Sequence, residues 1–159
     1  MKKITFALFA LIAGTSFAQN SANAEAATFA EIVEPLTIEK DQDLNFGRII
    51  GGSAGGGTVS ISAEDAATRT IDDALNAPGG TIQAAKFTIT GSDYNYGIKI
   101  EGSDLESGES TAMKYTPDSN LSSSEKGDQT LYVGGDLVVG TNQDAGNYEG
   151  TVTVTVTYE

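Results

Sequence analysis

Paired carboxylates are the groups in this sequence that come nearest to the acid and base of an enzyme. The 159-residue chain contains no histidine and no cysteine, which excludes a Ser-His-Asp triad, a Cys-His pair and a zinc site with nitrogen or sulfur ligands. Glu64–Asp65 and Asp72–Asp73 could supply a general acid and a general base. Neighbouring strand residues point to opposite faces, however, and no pattern indicates a buried pocket around either pair. The sequence therefore predicts solvated loops here, no catalytic residues and a protein that is not an enzyme.

The oxygen-rich stretch DQDLNFG is a candidate for cation binding. Asp41, Asp43 and Asn45 match the first three ligands of a calcium loop, which then needs Gly at its sixth position and Glu at its twelfth. Those positions hold Phe46 and Gly52. The EF-hand hypothesis therefore fails, and we expect these carboxylates at a turn. A looser calcium site in the acidic loops stays open, but the sequence predicts no metal ligands and no cofactor.

Two further patterns are candidates for binding sites. The glycine-rich stretch GGSAGGG lacks the Lys-Ser/Thr pair of a phosphate loop, so it predicts a flexible connection. Six tyrosines could line a sugar-binding face, although strand tyrosines more often lie half-buried with the hydroxyl in solvent. These residues are Tyr94, Tyr96, Tyr115, Tyr132, Tyr148 and Tyr158.

The N-terminus has the three parts of a secretory signal. Two lysines precede an apolar run over residues 4–13, and Ser16 and Ala18 are the small residues that a signal peptidase requires. The apolar run is far shorter than the ~20 residues of a spanning helix. We predict cleavage after Ala18, with Ala24 as the alternative, and then a flexible leader over residues 19–26. The mature chain would be exported to the periplasm, the cell surface or the extracellular space, with no transmembrane segment.

Composition narrows the choice of partners. Loss of the two signal lysines would leave seven basic residues against twenty-two acidic ones, a net charge of 7 − 22 = −15. That field repels nucleic acid, which excludes it as a partner. Because the chain has no cysteine, disulfides cannot hold it together, and the core of a single domain must do so.

Short alternating segments separated by Gly, Asn, Asp and Ser clusters fill the rest of the chain. Their spacing predicts an all-β fold, an immunoglobulin-like antiparallel β-sandwich of about seven or eight strands over residues 27–159. A short strand is expected at Arg69–Ile71, with a helical turn at 63–67 as the alternative. The other expected strands lie within residues 28–40, 44–50, 58–62, 84–91, 94–102, 112–116, 130–140 and 147–159.

The two ends of this domain carry the clearest strand-pairing patterns. At the C-terminus, valine and tyrosine alternate with threonine, so a slip of one register would expose the whole apolar face. At the other end, Glu34 breaks the apolar alternation of residues 27–38, and Pro35 removes a backbone donor, which suits an edge. The N-terminal segment could pair within its own domain as a first strand, or with a neighbouring chain as a donor. The alternating residues are Ala30, Ile32, Leu36 and Ile38 at the first end, and Val152, Val154, Val156 and Tyr158 at the second.

The stretches PLTIEKDQDLNFGRI, KFTITG, LYVGGDLVV and GNYEGTVTVTVTYE together resemble the family called domain of unknown function 4402. The last of them is also similar to the C-terminal strand of archaic chaperone–usher pilins and spore-coat-U-like proteins. This resemblance implies an incomplete sandwich whose groove is filled by a neighbour's N-terminal strand, after a chaperone has held it open. It implies that Gly146 and Tyr148, with the C-terminal alternating residues, line that groove or face the chaperone. It implies that Ala30, Ile32, Leu36 and Ile38 are donor positions.

Two functions are therefore expected as alternatives. The first is a non-enzymatic exported structural or surface protein, a pilin-like subunit that assembles by strand exchange. Its partners would be further copies of itself and a periplasmic chaperone and usher. The second is a self-contained secreted β-sandwich that binds a glycan or a surface partner.

Overall fold

A computed structural model describes residues 21–51, 55–72 and 74–159. The predicted signal peptide, residues 1–18, lies outside these ranges. Of the predicted leader, residues 19–26, only residues 19 and 20 lie outside them. The chain divides into two units, Met1–Glu31 and Ile32–Glu159. In the first unit, residues 21–31 have no helix or strand and are exposed.

The second unit is all-β, as the sequence predicted. The described residues contain no helix and form eleven strands, more than the seven or eight expected of the sandwich. Nine of them fall in or overlap the nine segments expected above, and the other two are short segments that pair within predicted loops. Residues 63–67 form bends and a turn, so the helical alternative there is wrong. The strands are β1 Thr37–Gln42, β2 Arg48–Ile50, β3 Gly57–Ile61, β4 Arg69–Ile71, β5 Asn76–Gly79, β6 Ala85–Thr90, β7 Asn95–Gly102, β8 Lys114–Ser119, β9 Ser124–Lys126, β10 Gln129–Val139 and β11 Val152–Tyr158.

The strands form two antiparallel sheets and a separate ribbon. The larger sheet has the order β1-β6-β10-β3-β4, with β8 on the other edge of β10, and the smaller sheet has the order β11-β7-β9. β2 and β5 form the two-stranded ribbon. The arrangement is that of a β-sandwich, because side chains of both sheets meet in a shared core.

Strand β10 organises the larger sheet. Its first half pairs with β6 and its second half with β3 along one edge, while β8 pairs along the opposite edge. The change of partner falls at Gly134 and Gly135. A Cβ atom on Gly134 would overlap the carbonyl oxygen of Ile61, so the close approach of β3 requires glycine there.

Two clusters of buried side chains form the core. The first is centred on Val59 and Leu137 of the larger sheet. The second joins Ile89 and Leu131 of that sheet to Tyr96 of the smaller one, and all three are fully buried. The predicted alternation of β6, β7 and β10 arises from this burial, because each strand turns one face to the core.

The Arg69 side chain joins the ribbon to the larger sheet. Its Nη1 donates to the carbonyl oxygens of Phe46 (2.8 Å) and Arg48 (3.2 Å), and its Nη2 donates to that of Ala77 (2.8 Å). The guanidinium plane can reach both strands of the ribbon at once, which a single ammonium group cannot do. Arg69 therefore fixes the ribbon, which forms one wall of the site described below.

We expect Arg69→Met to lower the free energy of unfolding by about 2–4 kcal/mol, since several charge-assisted hydrogen bonds to carbonyls are lost. Urea unfolding measures the change. Arg48→Met is the matched control, because the Arg48 side chain is exposed, and we expect a change of about 0.5 kcal/mol or less. Equal stability of the two variants would contradict the proposed role of Arg69.

Candidate strand-binding edge

The C-terminal strand β11 is an edge strand. Within the described residues it hydrogen-bonds to a single strand neighbour, β7, in an uninterrupted register from Val152↔Gly102 to Tyr158↔Tyr96. Its valines are half-buried against the second cluster, and its threonines are exposed. The predicted assignment of the two faces therefore matches the packing of β11.

The hydrogen bonds to β7 show which backbone groups of β11 are directed at the open edge. The Ser103 N–H donates to the Thr151 carbonyl (2.9 Å), and the Glu159 N–H donates to the Asn95 carbonyl (3.1 Å). In an antiparallel strand, alternate residues direct both backbone groups to the same side. Odd-numbered residues of β11 thus face β7, and the even-numbered ones direct N–H and C=O away from the sheet. The outward residues are Val152, Val154, Val156 and Tyr158.

The edge of β11 lacks the features that protect the other edges. β1 has charged residues at positions 39–41 and a shift of register before Gln42. β8 contains Pro117 and two charged residues, and β4 and β9 have three residues each. β11 has seven residues, with no charge, no proline and no break of register. Such an edge is a template for pairing with another strand.

A groove opens between the end of β1 and the start of β11. It consists of two clefts, of about 720 Å³ and about 590 Å³. The first lies between β2 with its flanking residues and residues 143–149, and the second lies between the end of β1 and residues 148–152. We call the two together the edge groove, because they share the lining residues Asn45, Phe46, Leu105, Tyr148 and Glu149.

The floor of the edge groove is apolar and its wall is held by hydrogen bonds. Phe46 packs edge-on against Tyr115, with ring centroids 5.9 Å apart. Gln143 Nε2 donates to the Tyr148 hydroxyl (2.8 Å), and that hydroxyl donates to the Asp144 carbonyl (3.0 Å). A Cβ atom on Gly146 would lie 2.5 Å from Ser107 Oγ. These contacts give the wall a fixed shape before any ligand binds.

The buried tyrosines are neutral structural groups. Burial raises the pKa of Tyr115, with a smaller contribution from Asp118, and its hydroxyl donates to the Gly134 carbonyl at 2.6 Å. Burial also raises the pKa of Tyr96, which donates to the Gly127 carbonyl at 2.9 Å. Neither hydroxyl is poised as an acid or a base.

Tyr158 lies at the end of β11 that is remote from the edge groove, where β11 of the smaller sheet meets the start of β1 of the larger sheet. Its hydroxyl donates to the Glu34 carbonyl (3.0 Å) and accepts from the Ser92 N–H (3.1 Å). The start of β1 therefore lies at the end of β11, whereas Gln42 and Val152 line one cleft at the opposite end. It follows that β1 and β11, in different sheets, run in opposite directions.

The predicted strand-pairing residues form four groups in the structure. The C-terminal alternating residues lie along the open edge, and Gly146 and Tyr148 line the edge groove. Leu36 and Ile38 pack against the second cluster, and β1 pairs with β6 of its own domain. Ala30 and Ile32 are exposed. Sequence reasoning missed the groove itself and the bond from Tyr158 to Glu34, since both depend on strand order.

The carboxylate candidates have structural contacts. Asp72 Oδ2 accepts from the Thr58 N–H at 2.7 Å, and Asp65 Oδ1 accepts from the Tyr132 hydroxyl at 3.0 Å. Asp73 lies outside the described residues. Asp43, in the stretch DQDLNFG, forms an ion pair with Lys40 (2.6 Å). Over residues 21–51, 55–72 and 74–159, no group of three acidic side chains is arranged to hold a metal ion.

Over the described residues, the fold and the site define an all-β antiparallel sandwich with an unprotected edge strand beside a groove that both apolar and polar residues line. Where the chain is described, it has no helix with the length and apolar character needed to span a membrane. The chain belongs to the family described as Domain of unknown function (DUF4402), whose model matches residues 36–158. The family indicated by the sequence motifs is thus confirmed. Neither a curated protein nor a solved structure matches the chain.

Proposed function

We propose that this protein is a non-enzymatic exported structural subunit, pilin-like, that assembles by strand exchange and accepts a strand at the edge of β11. The observation that carries the proposal is the unprotected edge of β11 beside the edge groove. Strand addition to an open sheet edge is a common mode of protein recognition, in which backbone bonds supply affinity and side-chain pockets supply specificity.

The energetics favour an added strand over an open edge. Four residues of β11 direct backbone groups outward, and each new hydrogen bond contributes ~0.5–1.5 kcal/mol net. The half-buried valines would lose their remaining contact with water, at ~25 cal/mol for each Å² of apolar surface covered. An added strand would also remove the aggregation hazard of the exposed edge.

The partners proposed are further copies of the chain and a periplasmic chaperone and usher. The exposed donor positions Ala30 and Ile32 support the first, because they precede β1 and belong to no strand. Leu36 and Ile38 fit this role less well, since they pack against their own domain.

That packing favours a second candidate function, a self-contained secreted binding module. In this case β1 is the first strand of a finished sandwich, and the edge groove binds a glycan or a surface partner. The volume of the larger cleft, about 720 Å³, lies within the ~300–1,000 Å³ of typical ligand sites.

The proposal is tested with two forms of the protein, residues 19–159 and residues 34–159. The shorter form keeps Glu34 and all of β1, which the structure requires. We expect the longer form to polymerise in size-exclusion chromatography, and the shorter form to be a monomer that binds a synthetic peptide of residues 19–36. If both forms are monomers and neither binds the peptide, strand exchange is wrong. Saturable glycan binding by such a monomer would favour the second candidate.

A further inference from the structure

The loop between β8 and β9 contains the one Asn-x-Ser/Thr triplet of the sequence. Of the eight asparagines, only Asn120 is followed two residues later by serine or threonine, in Asn120-Leu121-Ser122. With a residue other than proline in the middle, this triplet is the acceptor motif for asparagine-linked glycosylation of exported proteins. Asp118 precedes Asn120 by two residues, a position where some bacterial oligosaccharyltransferases select an acidic side chain.

The triplet lies on the surface of the folded domain. Asn120 forms a bend directly after β8, and Asp118, Asn120 and Ser122 are all exposed. Leu121 is partly buried and packs against the second core cluster, which anchors the loop. An exposed bend anchored by one apolar side chain is the kind of surface loop in which the acceptor motif is used.

The Asn120 carboxamide can carry a sugar and keep its contacts. Its Nδ2 donates to the Thr130 carbonyl (3.1 Å), and its Oδ1 accepts from the Tyr132 N–H (2.7 Å). A carboxamide nitrogen has two hydrogens, and the bond to Thr130 uses one of them. Replacement of the other hydrogen by a sugar therefore leaves both hydrogen bonds intact.

Asn120 lies away from the open edge of β11. It bonds to the edge of β10 along which β8 pairs, whereas β6 and then β1 follow on the other edge of β10. In the smaller sheet, β9 is the edge strand opposite to β11. A glycan at Asn120 would therefore leave the edge of β11 free, and it would shield the edges of β8 and β9 from pairing with other strands.

On the premise of the export in the proposed function, we propose that Asn120 is the acceptor of an asparagine-linked glycan. The donor is a lipid-pyrophosphate-linked oligosaccharide, used by an oligosaccharyltransferase of the exporting cell. Nδ2 forms a bond to the anomeric carbon of the first sugar and releases one of its hydrogens as a proton. The bond from that carbon to the pyrophosphate oxygen breaks, and the pyrophosphate leaves with the electron pair.

The transfer precedes the folding of the loop. In the folded protein the Asn120 Nδ2 is bonded to Thr130, and the Ser122 hydroxyl donates to Glu125 Oε1 at 2.6 Å. Both side chains of the acceptor motif are free only in the extended chain, so the exported chain is modified before β8 and β9 pair.

Intact-mass spectrometry of the full chain, recovered from the envelope or medium of the cells that produce it, tests the site. We expect a mass above that of residues 19–159 by one oligosaccharide, which fragmentation should place on Asn120. Ser122→Ala leaves the Asn120 carboxamide and its hydrogen bonds in place, so we expect it to fold and to lose the added mass completely. Ser122→Thr keeps a hydroxyl at this position and is expected to retain the glycan.

The mass of the exported chain separates this inference from the proposed function. A bare mass of residues 19–159, or of residues 25–159 if cleavage follows Ala24, overturns the glycan and leaves strand exchange untouched. A chain that keeps residues 1–18 shows that export is wrong, and then the proposed function and the glycan fail together. An added mass that persists in Ser122→Ala lies elsewhere on the chain, and Asn120 is then not the acceptor.

Discussion

Replacing Gly135 with alanine is expected to leave little folded protein. Gly135 has φ +132°, a conformation that residues with a side chain rarely adopt, and an added Cβ would overlap the Thr116 carbonyl oxygen. The same Cβ would lie 3.0 Å from the ring of Tyr115, which is itself buried. Backbone strain of ~1–3 kcal/mol adds to a steric cost of similar size. Thermal unfolding and the yield of soluble protein measure the effect.

Substitutions at two other glycines separate the cost of backbone strain from the cost of steric overlap. Gly97→Ala adds a Cβ whose nearest neighbours are 3.8 Å away, so we expect almost no change in melting temperature. Gly108→Ala has free space but a φ of +57°, and we expect a loss of ~1 kcal/mol from conformation alone. If Gly135→Ala melts within a few degrees of the unsubstituted protein, the partner exchange of β10 at this position has been misinterpreted.

Proline substitution at neighbouring positions of β11 is expected to separate assembly from folding. Proline is tolerated in an edge strand where its missing N–H faces solvent, and not where the N–H bonds a neighbour. Val154→Pro removes an outward N–H and a half-buried side chain, so we expect ~1 kcal/mol of destabilisation. Thr155→Pro removes an N–H directed at β7, and we expect ~3 kcal/mol or more.

Val154→Pro, the variant with the smaller expected loss of stability, is the one whose assembly we expect to be impaired. Val154→Pro should fold and yet bind an added strand at least about tenfold more weakly, because a hydrogen bond is lost and the ring obstructs the edge. Thr153→Val, on the exposed face of β11, is the control that leaves every backbone group in place. Unchanged polymerisation or peptide binding by folded Val154→Pro would show that the edge of β11 is not the acceptor.

Alternation was sufficient to predict the long strands. β6, β7, β10 and β11 each turn one face to a shared core, and period-two burial leaves that pattern in the sequence. β5 and β9 could not be found in this way. Their sequences, NAPG and SEK, have no apolar alternation, and they are strands only because β2 and β7 provide backbone partners.

The candidate site could not be predicted from local sequence patterns, because it depends on the order of the strands. The alternation of valine and threonine predicted the apolar face of β11, but its open edge follows from the order of the strands in the sheet. The edge groove joins residues 45–51 to residues 143–149, which strand patterning cannot place together. For the segment around Pro35 the sequence left two alternatives open, a first strand of its own domain or a donor to a neighbouring chain. β1 begins two residues after Pro35 and pairs with β6.

Amide hydrogen exchange of β11, followed by NMR, tests most directly whether this strand is an open acceptor. In the monomer of residues 34–159, the account predicts alternation, with slow exchange at Thr153, Thr155 and Thr157 and fast exchange at Val152, Val154 and Val156. An added strand should then slow the three valine amides while the threonine amides change little. Slow exchange at all six positions in the monomer, or valine amides that remain fast in the assembled polymer, would contradict it.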